Sequence, residues 1–151
     1  MAKMIFVNLP ASDVERTAAF HEALGATRDA RFSMPGYAAA MVYSDAITFM
    51  VQSHDSIARF TDKTIADART TTEVLLCLSE DSREAVDATL AKVAAAGGKP
   101  DISPTQEMGD YMYGRSFEDP DGHIFEVMWM DVEAAMKAWG GSAAAAEHQA
   151  A

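Results

Sequence analysis

The chain has 151 residues, 23 acidic and 12 basic, giving a formal net charge of −11 and a pI near 4.6. With 49% hydrophobic and 23% charged residues it has the composition of a folded globular protein, long enough for one domain or two fused half-size units. Acidity without any run of Lys or Arg argues against nucleic acid, and no apolar stretch approaches the ~18 residues of a membrane span.

In chain order, the apolar run of MAKMIFVNLP is too short for a signal peptide. Residues 4–25, MIFVNLPASDVERTAAFHEALG, read as a short strand, a Ser-Asp helix start, an amphipathic helix and a stop at Gly25. YAAAMVYSD and AITFMVQS then form a hairpin through Ser44-Asp45-Ala46, with a further short strand at 27–33. Residues 53–72 predict a loop with one helical turn. From residue 73 the pattern repeats: EVLLCLSEDSREAVDATLAKVAAAGG is strand, capped helix and glycine stop, followed by a short strand at 99–104. The hairpin YMYGRSFED and HIFEVMWMD turns at Asp119-Pro120-Asp121-Gly122, where Pro presets φ and Gly accepts a positive one. Cys77 is the single cysteine, so no internal disulfide forms, consistent with a cytoplasmic protein.

The expected organisation is one α+β domain over residues 1–139. Module 1 spans 4–52, a linker 53–72, module 2 spans 73–131, and a helical segment covers 132–139. A flexible tail, 140–151, follows, because its small residues offer no apolar face to bury.

The two β-α-β-β(-β) halves, the LPASD strand-to-helix junction and above all EDPDGHIFEV resemble the vicinal oxygen chelate superfamily of glyoxalase I, bleomycin-resistance proteins and extradiol dioxygenases. The resemblance covers residues 4 to 131, and MYGRSFEDPDGHIFEVMWMD is similar to a bacterial subgroup labelled as predicted lactoylglutathione lyases. It implies two βαβββ modules forming a curved mixed sheet with a central cleft, often completed by homodimerisation, and a metal-ligand position on the first and last strand of each module. Carried over, these positions fall on Glu73 and Glu126 in module 2. In module 1 they fall on Phe6 and, with Ile47 aligned to Ile124, on Phe49. Two carboxylates and two phenyl rings fall short of the three protein ligands of a catalytic metal site, so no cofactor is expected beyond a weak divalent site at Glu73 and Glu126.

If Glu73 and Glu126 face one cleft, their proximity raises one pKa and suits general acid/base work or the gripping of a cationic ligand. Period-two alternation puts Tyr113 and Arg115 on one strand face, groups Glu126 with Met128, and points Asn8 the same way as Phe6. Phe6, Asn8, Phe49, Tyr113, Arg115 and Met128 are therefore candidate contacts for a small molecule. An alternative for Glu126 and Arg115 is a structural carboxylate–guanidinium pair. Two functions follow from the resemblance: a lyase or isomerase using Glu126 as base with Glu73 as helper, and a non-enzymatic drug- or metabolite-binding protein. His21, His54 and His123 are scattered without ligand spacing and read as structural.

Overall fold

The computed structural model describes residues 1–140, so the expected tail lies outside the described residues from 141 onward. Strand β1 (Ile5–Ala11) leads into helix α1 (Val14–Ala23), whose first turn is closed by the Asp13 carboxylate accepting the Arg16 amide at 3.0 Å. Gly25, at φ +107°, ends the helix where an L-residue would be strained. Strands β2 (Thr27–Met34), β3 (Ala38–Val42) and β4 (Ile47–Ser53) complete a sheet of order β1-β4-β3-β2, with β1 parallel to β4.

A short helix α2 (His54–Ile57) and an extended strap lead to β5 (Leu76–Ser79) and to α3 (Arg83–Ala95), capped by Ser82. Strands β6 (Lys99–Pro100), β7 (Gln106–Met108), β8 (Met112–Glu118) and β9 (Ile124–Met130) build the second sheet, in which β5 runs parallel to β9. A final helix, α4, occupies 132–140. The two βαβββ modules are thus those expected, with mixed sheets of four and five strands. Among the described residues no helix is long and apolar enough to cross a membrane.

Alternation along the strands decides which face each sheet buries. Leu9, Phe49 and Val51 of module 1 join Phe117, Phe125 and Val127 of module 2 in one core with Phe20, Val86 and Leu90 from the helices. Phe49 meets Phe125 edge-on at 5.3 Å between centroids, and Phe117 stacks on Phe125 at the same separation. The helix-bearing faces therefore share a single core, and neither module buries its apolar face without the other.

Polar groups clasp the modules together. The buried Asp121 carboxylate of the β8–β9 turn accepts the Ser12 amide (2.9 Å), the Ser12 hydroxyl (3.0 Å) and the Thr17 hydroxyl (2.5 Å), all from module 1. His123 Nε2 lies 2.7 Å from the Pro10 carbonyl, across the same seam. Gly122, at φ +90°, sits so close to the strap that a Cβ would come within 2.8 Å of the Arg69 amide nitrogen.

Candidate functional site

With one face of each sheet committed to the core, the other is left open, and site residues must be sought there. On module 1 that face carries Phe6, Ala40, Val42, Thr48 and Met50, which with Met4 and Phe32 line a cup of about 660 Å³. Its floor is apolar; charge enters at Asp29, Arg31 and Asp45, with Arg31 forked onto the Asp29 carboxylate at 3.0 and 2.7 Å. Phe6 and Phe32 remain 54% and 64% exposed, so the cup holds large apolar side chains in contact with solvent.

On module 2 the open face carries Cys77, Ser116, Glu126 and Met128 around a shallow groove. Cys77 and Ser116 are the register neighbours of Glu126 on its two flanking strands, so all three side chains stand on one side of the sheet. Ser116 Oγ is 2.7 Å from Ser103 Oγ. Burial, and after it the negative charge of Glu126, pushes the Cys77 thiol above its usual pKa.

The sequence-derived candidates are scattered over several surfaces. Phe6 lies in the cup, and Glu126 and Met128 in the module 2 groove. Asn8 points to the open side as expected, but its amide oxygen accepts from Gln52 Nε2, and it borders a third depression of about 440 Å³ between β1 and the strap. Glu73 also borders that depression, not the Glu126 groove: β5 begins only at Leu76, and Glu73 is an exposed strap residue. At about 3.3 Å per residue, Glu73 stands up to roughly 13 Å along the chain from Cys77, the neighbour of Glu126. The expected carboxylate pair is therefore not assembled within one chain.

Phe49 is a correction of one residue. It is 2% exposed and points into the core against Phe125, so its counterpart in the repeat is Phe125, and Met50 is the counterpart of Glu126. Tyr113 and Arg115 do share a face, but it is the helix-bearing one, opposite Glu126. Arg115 forks onto Asp101 (2.9 and 2.7 Å) and reaches Asp87 of α3 (2.8 Å), while the Tyr113 hydroxyl donates to Asp87 at 2.6 Å. Arg83 lies over the Tyr113 and Trp129 rings, 5.3 Å from each centroid. These residues bind α3 to its sheet and leave no side chain for the groove. The sequence patterns do not single out Cys77, Ser116, Thr48 or Met50; the helix caps do locate Cys77, since Asn8 and Cys77 each precede an N-cap by five residues.

The family's metal positions can be tested on this geometry. The open-face residues of β1, β4, β5 and β9 offer phenyl, amide, hydroxyl, thioether, thiol and one carboxylate, and no cluster of three His, Cys, Asp or Glu converges among the described residues. This donor set does not fit a catalytic divalent ion.

The order of elements, the paired βαβββ modules and the open faces define a glyoxalase-type fold. Residues 3–127 match the model of the Glyoxalase/Bleomycin resistance protein/Dioxygenase superfamily, and the chain belongs to that superfamily. Among solved structures it is similar to a hypothetical protein from S. aureus, with a TM-score of 0.69, 24% identity, and coverage of 85% of this chain and 94% of that one. A lactoylglutathione lyase from Agrobacterium tumefaciens (TM-score 0.62, 16% identity) and a fosfomycin resistance protein from Listeria monocytogenes (0.60, 17%) each cover 85% of this chain and 93% of their own. At these identities the likeness concerns the fold alone. No curated protein matches the chain.

Proposed function

We propose that this superfamily member is a cytoplasmic homodimer that takes a small, largely apolar organic molecule into the module 1 cup and presents Glu126 to the polar end of that molecule. The observation that carries the reading is the cup itself. A volume of about 660 Å³ falls in the range of small-molecule sites, and its floor is built from Phe6, Ala40, Val42 and Met50 without an ionisable group. Such a floor favours sequestering an apolar body over polarising a carbonyl.

Support for the dimer comes from exposed apolar surface. β1 and β5 are edge strands, and Ile5, Phe6, Met34, Val74 and Leu75 are each more than half exposed along or near those edges and the cup. In the proposed dimer a second copy covers them and brings its Glu126 groove to the cup of the first. A monomer mass by light scattering at micromolar concentration would remove this part of the reading.

A second, catalytic reading is favoured by Glu126 standing between Cys77 and Ser116: a carboxylate base for proton transfer next to a carbonyl, as a lyase or isomerase requires. Two measurements separate the readings. Fluorescence titration with N-phenyl-1-naphthylamine should show saturable binding that weakens at least about tenfold when Thr48→Trp fills the cup; unchanged binding would overturn the cup as the site. Turnover of the methylglyoxal–glutathione hemithioacetal, with and without added divalent metal, should be absent in a binding protein. Turnover lost in Glu126→Gln would instead establish the catalytic reading.

A further inference from the structure

The two modules are copies of one plan, and at one place beside the shared core where they differ a cavity opens. Counted from the helix caps Asp13 and Ser82, Phe20 and Thr89 occupy the same seventh position, and Ala11 and Glu80 the same place two residues before the cap. In module 1 the phenyl ring of Phe20 fills this corner. It is 1% exposed, lies 6.1 Å from Phe117 between centroids, and presses so closely on Gly98 that a Cβ there would sit 2.7 Å from the ring.

In module 2 the same corner holds only a threonine and a carboxylate. The Thr89 hydroxyl donates to Glu80 Oε1 at 2.6 Å, which fixes that carboxylate and leaves Oε2 for another donor. Beside them lies a crevice of about 350 Å³ at the seam of the modules, walled by Leu24, Leu78 and Phe117 and by Tyr43. Glu80 is the single charged residue in its wall. The Tyr43 hydroxyl is held 2.7 Å from Nδ1 of the fully buried His21, so this wall is rigid. Burial, then the charges of Asp119 and Glu80, push the Tyr43 phenol upward, so it stays neutral and does not compete with Glu80 for a cation.

We propose that this crevice, separate from both open sheet faces, is a second binding site and that it takes a small primary amine carrying an apolar group. The ammonium donates to Glu80, and its chain lies on Leu24, Leu78 and Phe117. An ammonium needs a carboxylate acceptor beside it, and its hydrocarbon needs an apolar wall; the crevice supplies both within one volume, with Glu80 half-buried at its side. A neutral molecule of the same shape would leave the Glu80 carboxylate desolvated without a counter-charge.

The test is an amide-resolved NMR titration of the full chain with n-butylamine and, separately, with n-butanol, at about 0.15 M salt to screen exposed carboxylates. Saturable shifts at Tyr43, Leu78, Thr89 and Phe117 are expected with the amine, and binding at least about tenfold weaker with the alcohol. Glu80→Gln keeps the side-chain shape and an acceptor for Thr89, and should weaken the amine about tenfold. Thr89→Phe installs the residue of the other module and should abolish binding. Should Thr89→Phe fail to fold, the Glu80→Gln comparison decides alone. Equal binding of amine and alcohol, amine binding unchanged in Glu80→Gln, or shifts confined to Phe6 and Met50 would each overturn the proposal.

Discussion

Met50 in β4 and Glu126 in β9 are the same position of the repeat: each follows a core phenylalanine, Phe49 or Phe125, and each turns to the open face of its sheet. One module thus presents a thioether where the other presents a carboxylate. The family plan is two-fold, but the chemistry written on it is not.

Met50→Glu makes the two halves alike and places a charge on the apolar floor of the cup. Binding of N-phenyl-1-naphthylamine should weaken at least about tenfold, while Met50→Leu should stay within about threefold of wild type. Equal affinities for all three proteins would show that the probe binds elsewhere.

Cys77 reports on Glu126 independently of any ligand. The Glu126 charge adds to burial in holding the thiol above its usual pKa, so Glu126→Gln should lower that pKa and speed alkylation of Cys77 by iodoacetamide at pH 8. A rate that does not change would mean that the two side chains do not share a face.

Asp121 and Asp45 are a second pair of repeat equivalents, each two residues beyond a matched pair, Asp119 and Tyr43. Asp121 is buried with three donors from module 1, whereas Asp45 is exposed at the rim of the cup. Asp121→Ala should cost about 2 to 4 kcal/mol in urea denaturation, and Asp45→Ala less than about 0.5 kcal/mol.

Two buried groups near the seam oppose each other in pH dependence. Burial first, then the charge of His123, lowers the His21 pKa from 6.5 to about 4, with Asp121 acting the other way. The unfolded chain therefore takes up a proton that the folded chain refuses, and stability from this group falls as pH drops from 6.5 towards 4. Burial, aided by Asp121 and opposed by His123, raises the carboxyl of Asp119. Its contribution is present at low pH and is lost as pH rises through the folded value. Asp119→Asn removes the second effect and keeps an acceptor for the amides of Asp121 and His123. Acidification from pH 6.5 to 4.5 should then destabilise the variant more steeply than wild type, by up to about 1.4 kcal/mol per pH unit. Parallel slopes would show that Asp119 is ionised throughout.

Much of this fold was legible because its signals are local. Asp13 and Ser82 cap helices, Gly25 and Gly97 stop them at positive φ, and Asp-Pro-Asp-Gly turns a hairpin. The site was less legible because faces are assigned by tertiary contact. Alternation correctly grouped Tyr113 with Arg115, but only the packing of α3 decides that their side is the inner one and that Gly114 and Ser116 look outward. Aligning Ile47 with Ile124 displaces Phe49 by one residue, which in a strand reverses the side chain; in the structure Ile47 is the equivalent of His123. The apolar Val74 and Leu75 extend the strand pattern of β5 back to Glu73, although pairing with β9 begins only at Leu76.

The clasp at Asp121 has a consequence for how such a chain can be rebuilt. Module 2 reaches across and completes the β1–α1 corner of module 1, while the matching turn of module 1 spends its aspartate on the solvent. Two copies of module 2 joined in tandem would lack the Ser12 and Thr17 donors that Asp121 needs, whereas in two copies of module 1 the equivalent Asp45 would stand where Asp121 does, facing Ser12 and Thr17. The halves are thus unequal as building blocks: module 1 carries both the donors and an aspartate for such a clasp, while module 2 carries the aspartate alone.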